Sequence, residues 1–135
     1  MGLSERREVK AFQDDKLSQL KKDIDSAAGF KVEIEVKWEG LEKEGMSHLY
    51  ADGFTKVYFT PVQKAFKEIC ADTMGKDSLK KALKKVVLCN ESDKYGKDAI
   101  SFSGGILKID HDPITNMDDV EERAQTIVKL VSDAI

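Results

Sequence analysis

An α+β fold, with helices packed on one face of a four-stranded, mixed or mostly antiparallel sheet, follows from three features of the chain. Phe30, Val32, Ile34, Val36 and Trp38 alternate with Lys31, Glu33, Glu35 and Lys37. Successive strand side chains point to opposite sides, so this period marks a strand with one face in a core and one in water. Ser103-Gly104-Gly105-Ile106 offers a Gly-Gly centre suited to a two-residue hairpin turn. Several long segments between these signals carry apolar residues at helical spacing.

The elements follow in the order α-β-α-α-β-β-β-α. Residues 4–28 place Val9, Phe12, Leu17, Leu20, Ile24 and Ala27 on a helical stripe, with Ser4 as N-cap and Gly29 as stop. The alternating strand of residues 30–38 comes next, and Gly40 to Gly45 forms a charged turn. From Leu49 to Cys70 the three- and four-residue steps resume, interrupted by Gly53 and Pro61. Two solutions satisfy this stretch: one long helix kinked near Pro61, or a helix opened by Thr60 with Pro61 in its first turn. The unbroken phase of the stripe favours the first.

Gly75 ends that segment, and Asp77 or Ser78 caps a short helix reaching about Lys84. Val86-Val87-Leu88-Cys89 is a continuous apolar run expected of an interior strand. Residues 90–97 form a polar loop. With Gly104-Gly105 as the turn, Ser103 faces Ile106, Phe102 faces Leu107, Ser101 faces Lys108 and Ile100 faces Ile109. This register gathers Ile100, Phe102, Leu107 and Ile109 on one side, with Ile106 an apolar exception at the tip, and a one-residue slip would scramble the two faces. Pro113 closes the hairpin, and a final helix opens at Asn116 or Asp118 with Val120, Ala124, Ile127, Val128, Val131 and Ala134 inward. Helices connect the first strand to the second, which allows those two to be parallel, and the last three strands are expected to be antiparallel neighbours. Asp at Val32 or Ile34 is expected to unfold such a sheet.

The 135 residues suit one domain, 1–135, with no repeat or linker dividing it. A charged share of 35% and an apolar share of 41% describe a globular chain. The net charge of −3 gives little attraction to nucleic acid or anionic membrane. Charge is nonetheless segregated: residues 46–97 hold ten Lys against six acidic side chains, and residues 98–135 hold three basic against eight acidic. The expectation is that the two segments neutralise each other across the fold or simply sit in water.

Cys70 and Cys89 both lie on apolar stripes, as small core residues would, and a bond between them is left open. The first residues carry no apolar secretory core, Arg6 stands where a myristoylation signal needs Ser or Thr, and no run reaches membrane-spanning length. A reducing, cytoplasmic setting is expected, with no membrane partner.

Candidate chemistry is sparse. Asp110, His111 and Asp112 combine two carboxylates with an imidazole, a set able to serve as acid and base or to hold a divalent metal. Strand alternation opposes this, sending Asp110 and Asp112 to solvent and His111 to the side of Leu107 and Ile109. No zinc-type spacing accompanies the set, and neither a metal nor a cofactor is expected. Lys76, Lys80, Lys81, Lys84 and Lys85 form a basic ridge suited to an anion or an acidic protein. Nucleic acid is disfavoured there by the lack of Arg and of exposed aromatics.

The reading favoured by the sequence is a small non-catalytic binding or adaptor protein acting through its sheet face or charged helices, with a homodimer as one form. The alternative is a metal-assisted hydrolase using Asp110, His111 and Asp112. Third comes an anion or nucleic-acid binder using the lysine ridge.

Overall fold

A computed structural model of the chain describes residues 2–135. Its first helix, α1, comprises Leu3–Phe12, a π-helical turn Gln13–Leu17, and Ser18–Ala28. Gly2, not Ser4, is the N-cap, and its N–H donates to the Glu5 carboxylate at 3.0 Å. Gly29 ends α1 in the left-handed conformation, with φ +81°. Strand β1 spans Ile34–Val36, shorter than the alternating stretch that contains it. Beyond it the chain turns through a short 3-10 segment, Trp38–Gly40, which lays the Trp38 ring edge-on against Phe12 and Phe54.

Helix α2 runs through Pro61. It comprises Tyr50–Phe54, a second π-turn Thr55–Phe59, and Thr60–Ile69. The missing proline N–H falls where the hydrogen-bond register is already passing from the wider turn back to the α spacing, so the stripe continues. Helix α3, Thr73–Ala82, begins earlier than Asp77, because the Asp72 carboxylate caps it by accepting the Gly75 N–H at 2.8 Å. Gly75 therefore lies inside this helix rather than ending the previous one. Strands β2 (Lys85–Cys89), β3 (Ile100–Ser103) and β4 (Ile106–Asp110) follow, and helix α4, Val120–Ala134, closes the described chain.

The sheet is mixed, in the order β1-β2-β4-β3. The hairpin has the expected register, with Ile100 opposite Ile109 and Ser103 opposite Ile106, and positive φ at Gly104 and Gly105. Parallel β1–β2 pairing is also found. The antiparallel majority is not: β4 lies between β2 and β3 and runs parallel to β2, so only the β3–β4 pair is antiparallel. Burial explains the exchange. Leu107 and Ile109 of β4 are fully buried, whereas β3 exposes Ser101 and Ser103 and suits an edge.

One continuous core lies between the sheet and the helices. Ile34, Val36, Val86, Leu88, Leu107, Ile109, Ile100 and Phe102 point to it from the strands. Ile24, Phe54, Val57, Tyr58, Val62, Phe66 and Ile127 meet them from the helices, all fully buried. The opposite face carries Glu35, Lys85, Val87, Cys89, Lys108 and Asp110. The charge-segregated segments do neutralise each other in part, through Lys56–Asp118 at 3.0 Å and Lys64–Glu121 at 3.6 Å between the α2 side and the α4 side.

Candidate functional site

Asp110, His111 and Asp112 leave the end of β4, but the two carboxylates are not in solvent. Each is 6% exposed and His111 is fully buried. The polar loop after β2 folds back over the strand end, which strand alternation alone does not anticipate. Asp110 accepts the Glu91 N–H at 2.7 Å, and the Lys94 ammonium lies 3.7 Å away. Asp112 accepts the Ile114 N–H at 2.8 Å and pairs with Lys43 at 3.1 Å. Lys43 also reaches Asp93 at 2.7 Å, and these carboxylates, Asp93 foremost, raise its ammonium above the ordinary lysine range.

Both ring nitrogens of His111 are committed to backbone. Nδ1 donates to the Asp112 carbonyl at 2.6 Å, which leaves Nε2 to accept the Gly96 N–H at 3.2 Å. Burial holds the ring below the usual histidine range, as a neutral imidazole. The three side chains thus brace the turns at residues 90–96 and 110–114, and they do not converge on one point.

A different trio comes together. Cys89 Sγ and one oxygen each of Glu91 and Asp110 lie within 4.8 Å of one another, a spacing a cation could bridge. Lysines already balance this charge. Lys108 pairs with Glu91 at 2.7 Å, Lys37 with Glu91 at 3.9 Å, and Lys94 with Asp110. Burial, with the neighbouring Asp110 and Glu91, pushes the Cys89 thiol up to about 11, so it stays protonated at neutral pH. Cys70 is likewise a free thiol, on the helical side of the sheet.

The lysine ridge divides in two. Lys85 is paired with Glu35 at 2.7 Å, and the Lys76 stem lies over Gly29. Lys80, Lys81 and Lys84 are exposed, and among the described residues none of them has an acidic partner within ion-pair distance.

Sequence reasoning did not single out Arg123. Its guanidinium, 5% exposed, donates to the main-chain carbonyls of Asn116 (2.8 Å) and Asp119 (3.3 Å) and leaves Nε without a partner. It lines a cavity of about 70 Å³ with Lys97, Asn116, Asp119 and Glu122, two carboxylates against two cations. The lone Arg on an otherwise apolar stripe of α4 was the available signal.

No family model, curated protein or solved structure matches this chain. No helix among the described residues is long and apolar enough to cross a membrane.

Proposed function

We propose that the chain is a non-catalytic binding protein that docks another protein through the uncovered face of its sheet. The observation that carries this reading is the ordered charge pattern on that face. Glu35 and Lys85 pair across β1 and β2, and Glu91 is held by Lys37 and Lys108, all above the buried Val87 and Cys89. Charges already fixed in place lose less conformational freedom when a partner arrives than free lysines and glutamates do. They also impose a sign pattern that selects among partners.

Metal-assisted hydrolysis at Asp110, His111 and Asp112 has less support, because all three side chains hold backbone or lysine partners. Anion binding at Lys80, Lys81 and Lys84 has exposure in its favour but rests on surface lysines alone.

The test is a photo-crosslinking residue at the exposed Ser101 on the sheet face, against the same residue at the exposed Ser26 on α1. A single protein species captured from Ser101 alone is expected, and its loss when Glu35→Lys is combined with Lys85→Glu. That exchange keeps the ion pair but inverts its direction. Equal capture from Ser26, or capture indifferent to the exchange, overturns the reading. Capture only of a second copy replaces it with self-association.

A further inference from the structure

The edge of β1 has an unused hydrogen-bonding side. Val86 N–H donates to the Glu33 carbonyl at 2.8 Å, and Lys37 N–H donates to the Leu88 carbonyl at 2.9 Å. Residues 33, 35 and 37 therefore face β2, and the N–H and C=O groups of Ile34 and Val36 point away from the sheet. Among the described residues no other strand pairs with β1. Ile34 and Val36 are also only half-buried, although their side chains belong to the core face.

Beside this edge runs a groove of about 420 Å³, walled by Ser18, Lys21 and Lys22 of α1 and floored by residues 31–34. Among the described residues, Lys21, Lys22 and Lys31 have no carboxylate within ion-pair distance. The one acidic side chain on the helical wall, Asp25, is occupied: it accepts the Val32 N–H at 2.8 Å and holds the lead into β1 extended. The groove thus offers backbone donors and acceptors, apolar surface and unpaired positive charge together.

We infer that the β1 edge is a strand-addition site for an extended acidic peptide. The peptide's main chain bonds Ile34 and Val36, and its carboxylates meet Lys21, Lys22 and Lys31. A second copy of β1 is a poor occupant, since it would bring the same lysines face to face. The opposite edge, β3, is flanked by α4 and by a depression of mixed charge containing Asp98, Lys97, Lys129 and Asp133. The groove at the β1 edge holds Lys21, Lys22 and Lys31 against Glu33 and the occupied Asp25, a positive balance that the β3 depression lacks. This inference deepens the binding reading above but uses the edge rather than the face, so loss of crosslinking from Ser101 leaves it standing.

The test uses a synthetic octapeptide of alternating valine and glutamate, with a valine–lysine octapeptide as control. Trp38, the sole tryptophan, lies two residues beyond β1 and reports binding by fluorescence. Expected are binding of the glutamate peptide only, and at saturation a slowing of at least tenfold in amide exchange at Ile34 and Val36. Lys21→Glu with Lys22→Glu, both on the solvent side of α1, is expected to weaken binding about tenfold, in line with loss of two charge contacts. Ile34→Pro removes an outward donor without breaking a bond to β2, and is expected to abolish binding. No binding by the folded protein, equal binding of the lysine peptide, or binding that leaves both amides unprotected overturns the inference.

Discussion

The Tyr58 hydroxyl donates its hydrogen bond to the main-chain carbonyl of His111, and both residues are fully buried. This contact ties α2 to the chain as it leaves β4. Burial pushes the Tyr58 phenol far above the ordinary tyrosine range, so it remains a donor wherever the protein is folded. Tyr58→Phe leaves that carbonyl without its partner and is expected to cost about 1–3 kcal/mol. Urea unfolding checks this, as a lower midpoint at unchanged slope.

His111 gives the fold a pH dependence of definite sign. Its folded pKa lies below the reference value of 6.5, so the unfolded chain binds the proton more readily. Its contribution is complete at pH above that value and is lost as the pH falls from 6.5 toward the folded pKa. Glu35, Glu91 and Asp93, each lowered chiefly by a lysine partner, contribute losses only at lower pH. Unfolding midpoints at pH 7.0 and 5.5, roughly either side of the imidazole range, are expected to differ in the native protein and to converge in His111→Asn.

Gly75 admits no side chain. A Cβ there would stand 1.8 Å from the Ile69 carbonyl oxygen, because the start of α3 is folded tightly against the end of α2. Gly75→Ala is expected to cost about 2–3 kcal/mol, as backbone must move. Gly45 has φ +76° but open space around it, so Gly45→Ala costs only about 1 kcal/mol for the left-handed conformation. Thermal unfolding of the two variants side by side measures the difference.

Arg123 fastens the turn at Asn116, whose own φ is +53°, to the first turn of α4. Arg123→Met takes the guanidinium from both carbonyls, each of which keeps one main-chain N–H donor, and is expected to cost about 1–3 kcal/mol. Amide exchange should accelerate at residues 116–119 more than in the β3–β4 hairpin. Arg123→Lys restores at most part of this, since an ammonium lacks the planar fork that spans both carbonyls.

Val32 and Ile34 are not equivalent, although they lie on the same face of the alternating stretch. Val32 is 5% exposed with its N–H held by Asp25, whereas Ile34 is half-buried at the edge. Val32→Asp is expected to cost about 4 kcal/mol or more and Ile34→Asp about half that, since a buried charge without a partner dominates the loss. Circular dichroism at pH 7, with urea titration, ranks them.

The hairpin could be read residue by residue because two consecutive glycines with positive φ fix its turn, and one slip would reverse every side chain. The length of β1 could not. Its alternation continues to Trp38, yet only Ile34–Val36 find ladder partners on β2. Which of β3 and β4 sits beside β2 depends on the whole layer, not on any local pattern. The burial of Asp110 and Asp112 depends on the 90–96 loop returning over them, a contact between residues about twenty apart in sequence. The π-turn of α1 did leave a trace: the stripe steps five residues from Phe12 to Leu17, where a regular helix takes three or four.

Those two wide turns have a consequence for chain length. Asp15 and Lys16 of the first and Thr55 of the second border one shallow surface depression, so each helix carries its surplus residue where the other does. Deleting one residue within Gln13–Leu17 would leave Phe12 and Leu17 four apart, the step of a regular helix, so the coil could regularise without turning its first half. Val9 and Phe12 would then keep their side toward Phe54, now 5.1 Å from the Phe12 ring. A deletion in the regular turns of Ser18–Ala28 would instead rotate everything before it by about 100°, so the wide turn is the place where α1 can shorten by one residue and keep the present core.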